Sequence, residues 1–262
     1  MSDSIYERWR AAIDEHRPVA LITVVEGPGT GSKVLVGDGM EPVGTLGNDD
    51  LDRVVLRDAV GELAAGTSGV RHYGPHGEAR EDAVAVFIEA FAPPPQMLIF
   101  GAVDFTAALV RVAKVLGYKV TVCDAREVFA TKRRFPQADE VVVDWPHRLL
   151  ASVGDRLGPR DAVCVLTHDH KFDVPAIRAA LATNVGYLGA MGSRRTNAER
   201  LQRLEDDGVD MEQVRARLHA PIGLDLGGRT PEETAIAICA EIIAARTGRV
   251  AASLSEASGP IH

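Results

Sequence analysis

Histidines, carboxylates and arginines gather at a few places in the second half of this chain, and their types limit the chemistry available. Thr167–His168–Asp169–His170 sets two imidazoles two residues apart around a carboxylate, a spacing at which an extended loop can chelate a metal. A metal site needs one or two further ligands, which Asp124 or Asp144 would have to bring across a sheet edge. The spacing favours the alternative, in which Thr167 and His168 bond loop backbone and the segment forms one wall of a ligand site. Gly192–Ser193–Arg194–Arg195, followed by Thr196 and a helical pattern, has the makings of an anion site. Free N–H groups at a helix start and forked guanidinium donors suit phosphate or carboxylate. The same residues also read as a helix cap with solvated arginines, since two adjacent arginines cannot face one way on a helix turn. Pro221–Arg229 holds three glycines, Asp225 and Arg229 immediately before a well-capped helix, which suggests a loop of fixed shape. It also fits a plain connector in which Asp225 and Arg229 pair with each other.

Gly101–Ala102–Val103–Asp104 stands where a dinucleotide fingerprint would begin. Its three glycine slots fall on Gly101, Val103 and Thr106, and only the first is filled. A valine side chain in the second slot would take the space of an approaching pyrophosphate, and Asp104 adds negative charge at a helix mouth. Asp124, with Arg126 two residues on, follows at about the 20-residue distance expected of a ribose-binding acid. An acid there also serves as a loop cap, so nicotinamide binding in the usual pose is disfavoured. Of the three cysteines, Cys164 and Cys239 lie in apolar runs and read as core. Cys123 sits beside Asp124, whose charge would raise its pKa rather than activate it.

These residues need elements that bring them to one place. From Met97 onward, short apolar runs alternate with helical segments: Met97–Phe100, Lys119–Cys123, Glu140–Val143, Ala162–Leu166 and Val185–Leu188 read as strands. Helices are expected over Phe105–Leu116, Pro146–Leu157, Val174–Leu181, Arg194–Glu205 and Pro231–Arg246, the last with Thr230 as N-cap and Gly248 as stop. Continuous β-branched runs followed by helices mark a parallel sheet covered on both faces. In such a sheet, ligands bind outside the carboxyl ends of the strands, where the loops at Gly101–Asp104, Asp124–Arg126, Asp144–Trp145, Thr167–His170 and Gly189–Arg195 are expected to fall. Before Ala92 the pattern is shorter and mixed. A helix is expected over Tyr6–His16, strands over Val19–Val25 and Lys33–Val36, a turn at Gly37–Asp38–Gly39, a helix over Leu51–Leu63, and a buried strand over Ala83–Ala92.

The expected architecture is therefore a Rossmann-like, doubly wound parallel α/β sheet preceded by a smaller α+β domain. Its boundaries are 1–92, a proline-rich linker at 93–96, 97–249, and an Ala/Ser/Gly-rich tail at 250–262 expected to be disordered. With 262 residues, 46% hydrophobic and 25% charged, the chain has ordinary globular composition. A net charge of −8 without a long basic run argues against nucleic-acid binding. No apolar run reaches the roughly 20 residues that span a bilayer, and three widely spaced cysteines make no disulfide framework. A soluble, cytoplasmic protein is expected.

Taken together, several ordered motifs over about residues 97–246 carry a resemblance. They are Leu98–Gly101, Gly117–Asp124 with Arg126, Arg134–Asp139, Thr167–His170, Gly189–Arg195, His219–Gly227 and Arg229–Glu233. The chain resembles the XdhC/CoxI family in these, and its first half is similar to that family's smaller domain in Ala20–Val25, the glycine-rich loop to Ser32, Lys33–Val36 and Gly44–Gly47. The resemblance implies an accessory protein for a molybdenum hydroxylase. Such a protein binds molybdenum cofactor (molybdopterin), assists its sulfuration with a cysteine desulfurase, and hands it to the apo-enzyme; self-association into a homo-oligomer is also implied. On that footing Gly192–Arg195 would take the cofactor's phosphate, and Gly101, Asp104, Asp124, Arg126, Thr167, His168, Asp169, His170 and Asp225 would line the rest of the site. The chain departs from the family at Gly101–Asp104, where Gly-x-Gly-His is usual, and at Gly47–Asp50, where further glycines and a cysteine are usual. Two other readings compete: an NAD(P)-dependent oxidoreductase on a degenerate Rossmann fold, and a ligandless adaptor that docks a molybdenum hydroxylase.

Overall fold

The computed structural model describes residues 4–37, 40–79 and 81–256. The chain divides into two compact units, Met1–Pro93 and Pro94–His262.

In the first unit, α1 (Ile5–Asp14) is opened by a capping box between Ser4 and Glu7. The strands are β1 (Val19–Glu26), β2 (Lys33–Gly37), β3 (Met40–Thr45), β4 (Gly69–Tyr73) and β5 (Val84–Phe91), with α2 (Asp49–Ala65) between β3 and β4. They form an antiparallel sheet in the order β3-β2-β1-β5-β4. Ala20, Ile22 and Val24 of β1 face Leu51, Val55, Ala59 and Leu63 of α2, while Val19 and Leu21 turn toward Ala12 and Trp9 of α1. Burial on both faces explains why β1 reads as one apolar run rather than an alternation. The expected turn at Asp38–Gly39 lies outside the described residues. Strands β3 and β4 were not legible in the sequence, because exposed residues dominate both. Helix α2 begins earlier than its apolar pattern: Asn48 caps it, accepting from the N–H groups of Asp50 and Leu51, and Asp49, Asp50 and Asp52 fill its first turn. The departure at Gly47–Asp50 is thus a helix start.

The second unit contains β6 (Gln96–Phe100), α3 (Asp104–Val115), β7 (Lys119–Cys123), β8 (Glu140–Val142), α4 (Pro146–Val153), β9 (Ala162–Val165), α5 (His170–Leu181), β10 (Tyr187–Ala190), α6 (Arg194–Asp206), α7 (Met211–Arg217), β11 (Leu218–His219) and α8 (Pro231–Thr247). All six strands are parallel, in the order β11-β10-β9-β6-β7-β8. This is the doubly wound Rossmann arrangement, with the order reversing between β6 and β9. Alternate residues of β6 serve the two faces. Met97 and Ile99 pack with Leu109 of α3 and Ile238 and Cys239 of α8, while Leu98 and Phe100 pack with Ile177 and Leu181 of α5. The sixth strand, β11, escaped the sequence reading because it is two residues long and carries no apolar run. Strand β10 sits two residues later than expected, so Gly189 and Ala190 belong to the strand and not to the loop after it. Thr230 and Glu233 form the capping box of α8, and Gly248 closes it in the left-handed conformation. Residues 250–256 are exposed and outside helix and strand, and 257–262 lie outside the described residues. No helix among the described residues is long and apolar enough to cross a membrane.

The loop between β1 and β2 supplies a test of this geometry. Gly27 has φ +94° and a Cβ there would lie 2.2 Å from the Ala83 carbonyl oxygen; Gly31 has φ +92° with nothing within 4 Å. Both Gly→Ala changes strain the backbone by more than about 1 kcal/mol, and Gly27→Ala adds a clash. Urea unfolding is expected to rank Gly27→Ala clearly below Gly31→Ala, with both below wild type.

Candidate functional site

At the carboxyl edge of the parallel sheet, the loops after β6 and β9 leave in opposite directions, the place where open α/β sheets bind ligands. Here the two loops touch. Gly101 has φ +113°, and a Cβ on it would lie 2.8 Å from Thr167 Cγ2 and 3.0 Å from the Thr167 nitrogen. The glycine is required on both counts. Its N–H donates to the Cys123 carbonyl (2.9 Å), and Leu166 N–H donates to the Phe100 carbonyl (2.7 Å), so pairing continues just past the strand ends. Thr106, buried in the first turn of α3, donates its hydroxyl to the Gly101 carbonyl and accepts from Val103 N–H. Val103 is partly buried and packs against the core under α3 and α8.

Asp124 is 2% exposed, and both its oxygens are taken. Oδ2 accepts from Ala102 N–H (2.8 Å) and Arg126 Nη2 (2.7 Å); Oδ1 accepts from Arg126 N–H and Nε (both 2.9 Å). Burial alone would raise its pKa, but the hydrogen bonds from Arg126 and Ala102 outweigh it and hold the carboxyl below the usual carboxylate range. Asp104 is exposed at the start of α3, 3.7 Å from Arg134 Nη2.

Across the switch, a buried network joins four segments. Thr167 donates its hydroxyl to Asp173 Oδ1, Arg200 Nη2 donates to Asp173 Oδ2 (2.9 Å), and the same nitrogen donates to the Met191 carbonyl (2.7 Å). Thr167, Asp173 and Arg200 are each nearly inaccessible to solvent. Burial pushes the Asp173 carboxyl upward against the pull of Thr167 and Arg200. The network fixes the loop after β9 and the end of β10 relative to α5 and α6.

The structure corrects the picture of an extended His-x-His loop. Asp169 is the N-cap of α5, accepting from Lys171 N–H (3.1 Å), and His170 is the first helical residue. His168 and His170 instead line a cleft of about 120 Å³ between α5 and α6, with Asp173, Thr196, Arg200 and Arg203. No group of three or more His, Cys, Asp or Glu placed to hold a metal occurs among the described residues. At the next loop, Gly192 has φ +152° and Ser193 caps α6, its Oγ accepting from Thr196 N–H (3.1 Å). Arg194 is exposed, and Arg195 is a surface residue 3.3 Å from Glu199. Asp225 is exposed on a segment bound to α8 through Leu224 N–H and the Ala237 carbonyl, and it makes no ion pair with Arg229 or with the other candidates among the described residues.

The structure therefore joins Asp124 to Arg126 and to the Gly101–Ala102 turn, sets that turn against Thr167, places His168 and His170 on the cleft, and leaves Arg194, Arg195 and Asp225 at the surface. Sequence reasoning missed Asp173, Arg200 and Arg134. Two of these carried a signal: Asp173 shares a helical stripe with Ala176, Ile177 and Ala180, and Arg200 one with Leu204. A charge on an apolar stripe marks a buried partner.

A Rossmann-ordered sheet with a polar carboxyl edge, joined in one chain to an antiparallel α+β unit, defines a two-part protein of the doubly wound α/β class. Residues 97–242 match the XdhC Rossmann domain, and residues 12–74 match the XdhC and CoxI family. The chain belongs to the XdhC and CoxI family. It is 32% identical over 161 residues to a Bacillus subtilis protein named as a probable subunit of xanthine dehydrogenase, covering 62% of this chain and 46% of that one. It is 33% identical over 96 residues to the Escherichia coli molybdenum cofactor insertion chaperone PaoD, covering 37% and 30%. The chain thus spans less than half the length of either relative. Among solved structures, a Bacillus halodurans xanthine dehydrogenase superposes with TM-score 0.65 at 23% identity, over 92% of this chain and 66% of that one, which shows a shared fold.

Two outcomes follow for the buried carboxylates. Arg200→Met is expected to cost about 3 kcal/mol by leaving Asp173 unpaired, and the double variant Asp173→Leu/Arg200→Met to recover most of it; urea midpoints decide. Because the folded pKa of Asp124 is lowered, its contribution is present above the unfolded value of about 3.9 and is lost as pH falls through the lower folded value. Acid unfolding of Asp124→Asn is expected to lose that step, so that its deficit relative to wild type is full at neutral pH and shrinks in acid.

Proposed function

We propose that this protein is an accessory factor for a molybdenum hydroxylase. It holds molybdenum cofactor as cargo at the carboxyl edge of its parallel sheet and passes it to the apo-enzyme. The observation that carries this reading is its kinship, within the XdhC and CoxI family, with a relative that is a molybdenum cofactor insertion chaperone. The edge is chemically suited to the task. Backbone N–H groups at the starts of α3 and α6, the imidazoles of His168 and His170, and arginines on both sides of the switch can meet a phosphate and a polar flat pterin. Binding and release need no nucleophile.

The cysteines bear on sulfuration. All three are buried; burial first of all drives Cys123 and Cys239 up to about 12 and Cys164 well above its ordinary value. None is suited to carry a persulfide, so sulfur would pass from a cysteine desulfurase to the cofactor without a sulfur-bound intermediate on this chain. The competing oxidoreductase reading asks Asp124 to accept from a ribose, yet its oxygens already accept from Arg126 and Ala102.

Equilibrium titration of the purified protein with molybdenum cofactor, with NAD(P) in parallel, tests the proposal. Micromolar or tighter cofactor binding without nucleotide binding is expected, followed by activation of an apo molybdenum hydroxylase by the loaded protein. Nucleotide binding in place of cofactor binding would transfer the assignment to the oxidoreductase class, and binding of neither would leave a docking adaptor.

A further inference from the structure

On the β7 side of the switch, the carboxyl edge carries a cluster of two arginines and a phenylalanine. Arg126 is neutralised from below by Asp124, yet its side chain is 44% exposed and lies 4.7 Å over the Phe129 ring. Arg134 lies 5.5 Å from the same ring and 5.4 Å from that of Phe135. Its Nη1 donates to the carbonyls of Ala102 (2.9 Å) and Phe129 (3.3 Å). Those carbonyls orient the guanidinium without cancelling its charge. Its single carboxylate contact among the described residues is Asp104 at 3.7 Å, whose side chain is 93% exposed.

That pairing is weak for a physical reason. An exposed ion pair at such a distance is worth about 0–1 kcal/mol, whereas a phosphate can take short, forked, charge-assisted bonds from an oriented guanidinium. The position adds to the pull. Ala102 and Asp104 flank the start of α3, whose N-cap is Val103 with no side-chain acceptor, so the positive end of a 12-residue helix meets the two arginines. Phe129 is 40% exposed beside them and offers a flat apolar contact. In contrast, Arg194 and Arg195 at the start of α6 have no side-chain bond to a backbone carbonyl among the described residues, Arg195 pairs with Glu199, and Ser193 already caps the helix there.

We propose that Arg134, with Arg126 and the start of α3, forms the subsite for a phosphate monoester on a ligand that also carries a flat ring, and that the Asp104 carboxylate is the counter-ion the phosphate displaces. This rests on the reading of the sheet edge as a cofactor site and names the part that takes the phosphate. The same chemistry is offered by the phosphate of the pterin cofactor and by a 2′-phosphorylated nucleotide.

The test uses the full chain and two phosphorylated probes, molybdenum cofactor and adenosine 2′,5′-bisphosphate, with adenosine as the unphosphorylated control. Arg134→Gln is expected to weaken binding of a phosphorylated probe about tenfold, the loss of one or two charged hydrogen bonds, and to leave adenosine unaffected. Asp104→Asn, at a solvent-exposed position with little risk to folding, is expected to strengthen binding a fewfold, and the gain should vanish in the Arg134→Gln background. The subsite is overturned if neither phosphorylated probe binds, if Asp104→Asn leaves both affinities unchanged, or if the loss falls instead on Arg194→Ala/Arg195→Ala. If the bisphosphate follows this pattern and the cofactor does not bind, the subsite stands and the cofactor reading fails. If the cofactor binds with an affinity indifferent to Arg134 and Asp104, the functional reading stands and the subsite fails.

Discussion

An arginine that is 2% exposed has to find its counter-charge inside the protein, and the carboxyl edge of the sheet is organised around that requirement. Arg200 leaves α6, Asp173 leaves α5, and the ion pair between them carries the Thr167 hydroxyl and the Met191 carbonyl with it. A pair of this kind adds little net stability over an apolar isostere, because desolvating both charges offsets much of their attraction. What it does supply is position. With the Thr167 hydroxyl and Arg200 Nη2 each answered by a specific acceptor, the loop after β9 and the end of β10 have few ways to sit.

Asp124 plays the matching part on the other side of the switch. Its carboxylate ties the turn after β6, through Ala102, to the loop after β7, through Arg126. Gly101 and Thr167 are the joint between the halves, since no side chain fits between them. Each half thus has a buried carboxylate whose acceptors are taken up by structure and an outer layer of cations facing solvent. An acid buried in this way is a scaffold for an arginine: Asp124 holds Arg126, which stays partly exposed, and Asp173 holds Arg200, which is buried with it. Carboxylates identified by position alone can therefore suggest a polarity opposite to that of the finished surface.

Much of this could be read from residue order. The apolar runs beginning at Met97, Lys119, Glu140 and Ala162 became β6 to β9 with small shifts, because strands buried on both faces leave continuous β-branched segments. The caps at Thr230 and Gly248 were legible because capping is local chemistry. Strands β3, β4 and β11 were not: the first two lie at the edges of their sheet with mostly exposed residues, and the third is held by pairing with β10 alone. The His-x-His segment was not legible as a helix start, because Pro175 within α5 masks where that helix begins and Asp169 as N-cap draws His170 into it.

By itself, the sequence determined the doubly wound class, the smaller α+β unit and the family. Each of these depends on local periodicity or on motifs that keep their order along the chain. The tertiary structure decided which charges are buried and which face solvent. Asp124 and Arg126 are two residues apart, but Asp173 and Arg200 meet only when α5 and α6 pack on the same face, and Arg134 reaches the Ala102 carbonyl only when the loop after β7 folds back to the start of α3. Burial is a property of packed elements and not of residue type, so the roles of the arginines could not be read before the fold was assembled.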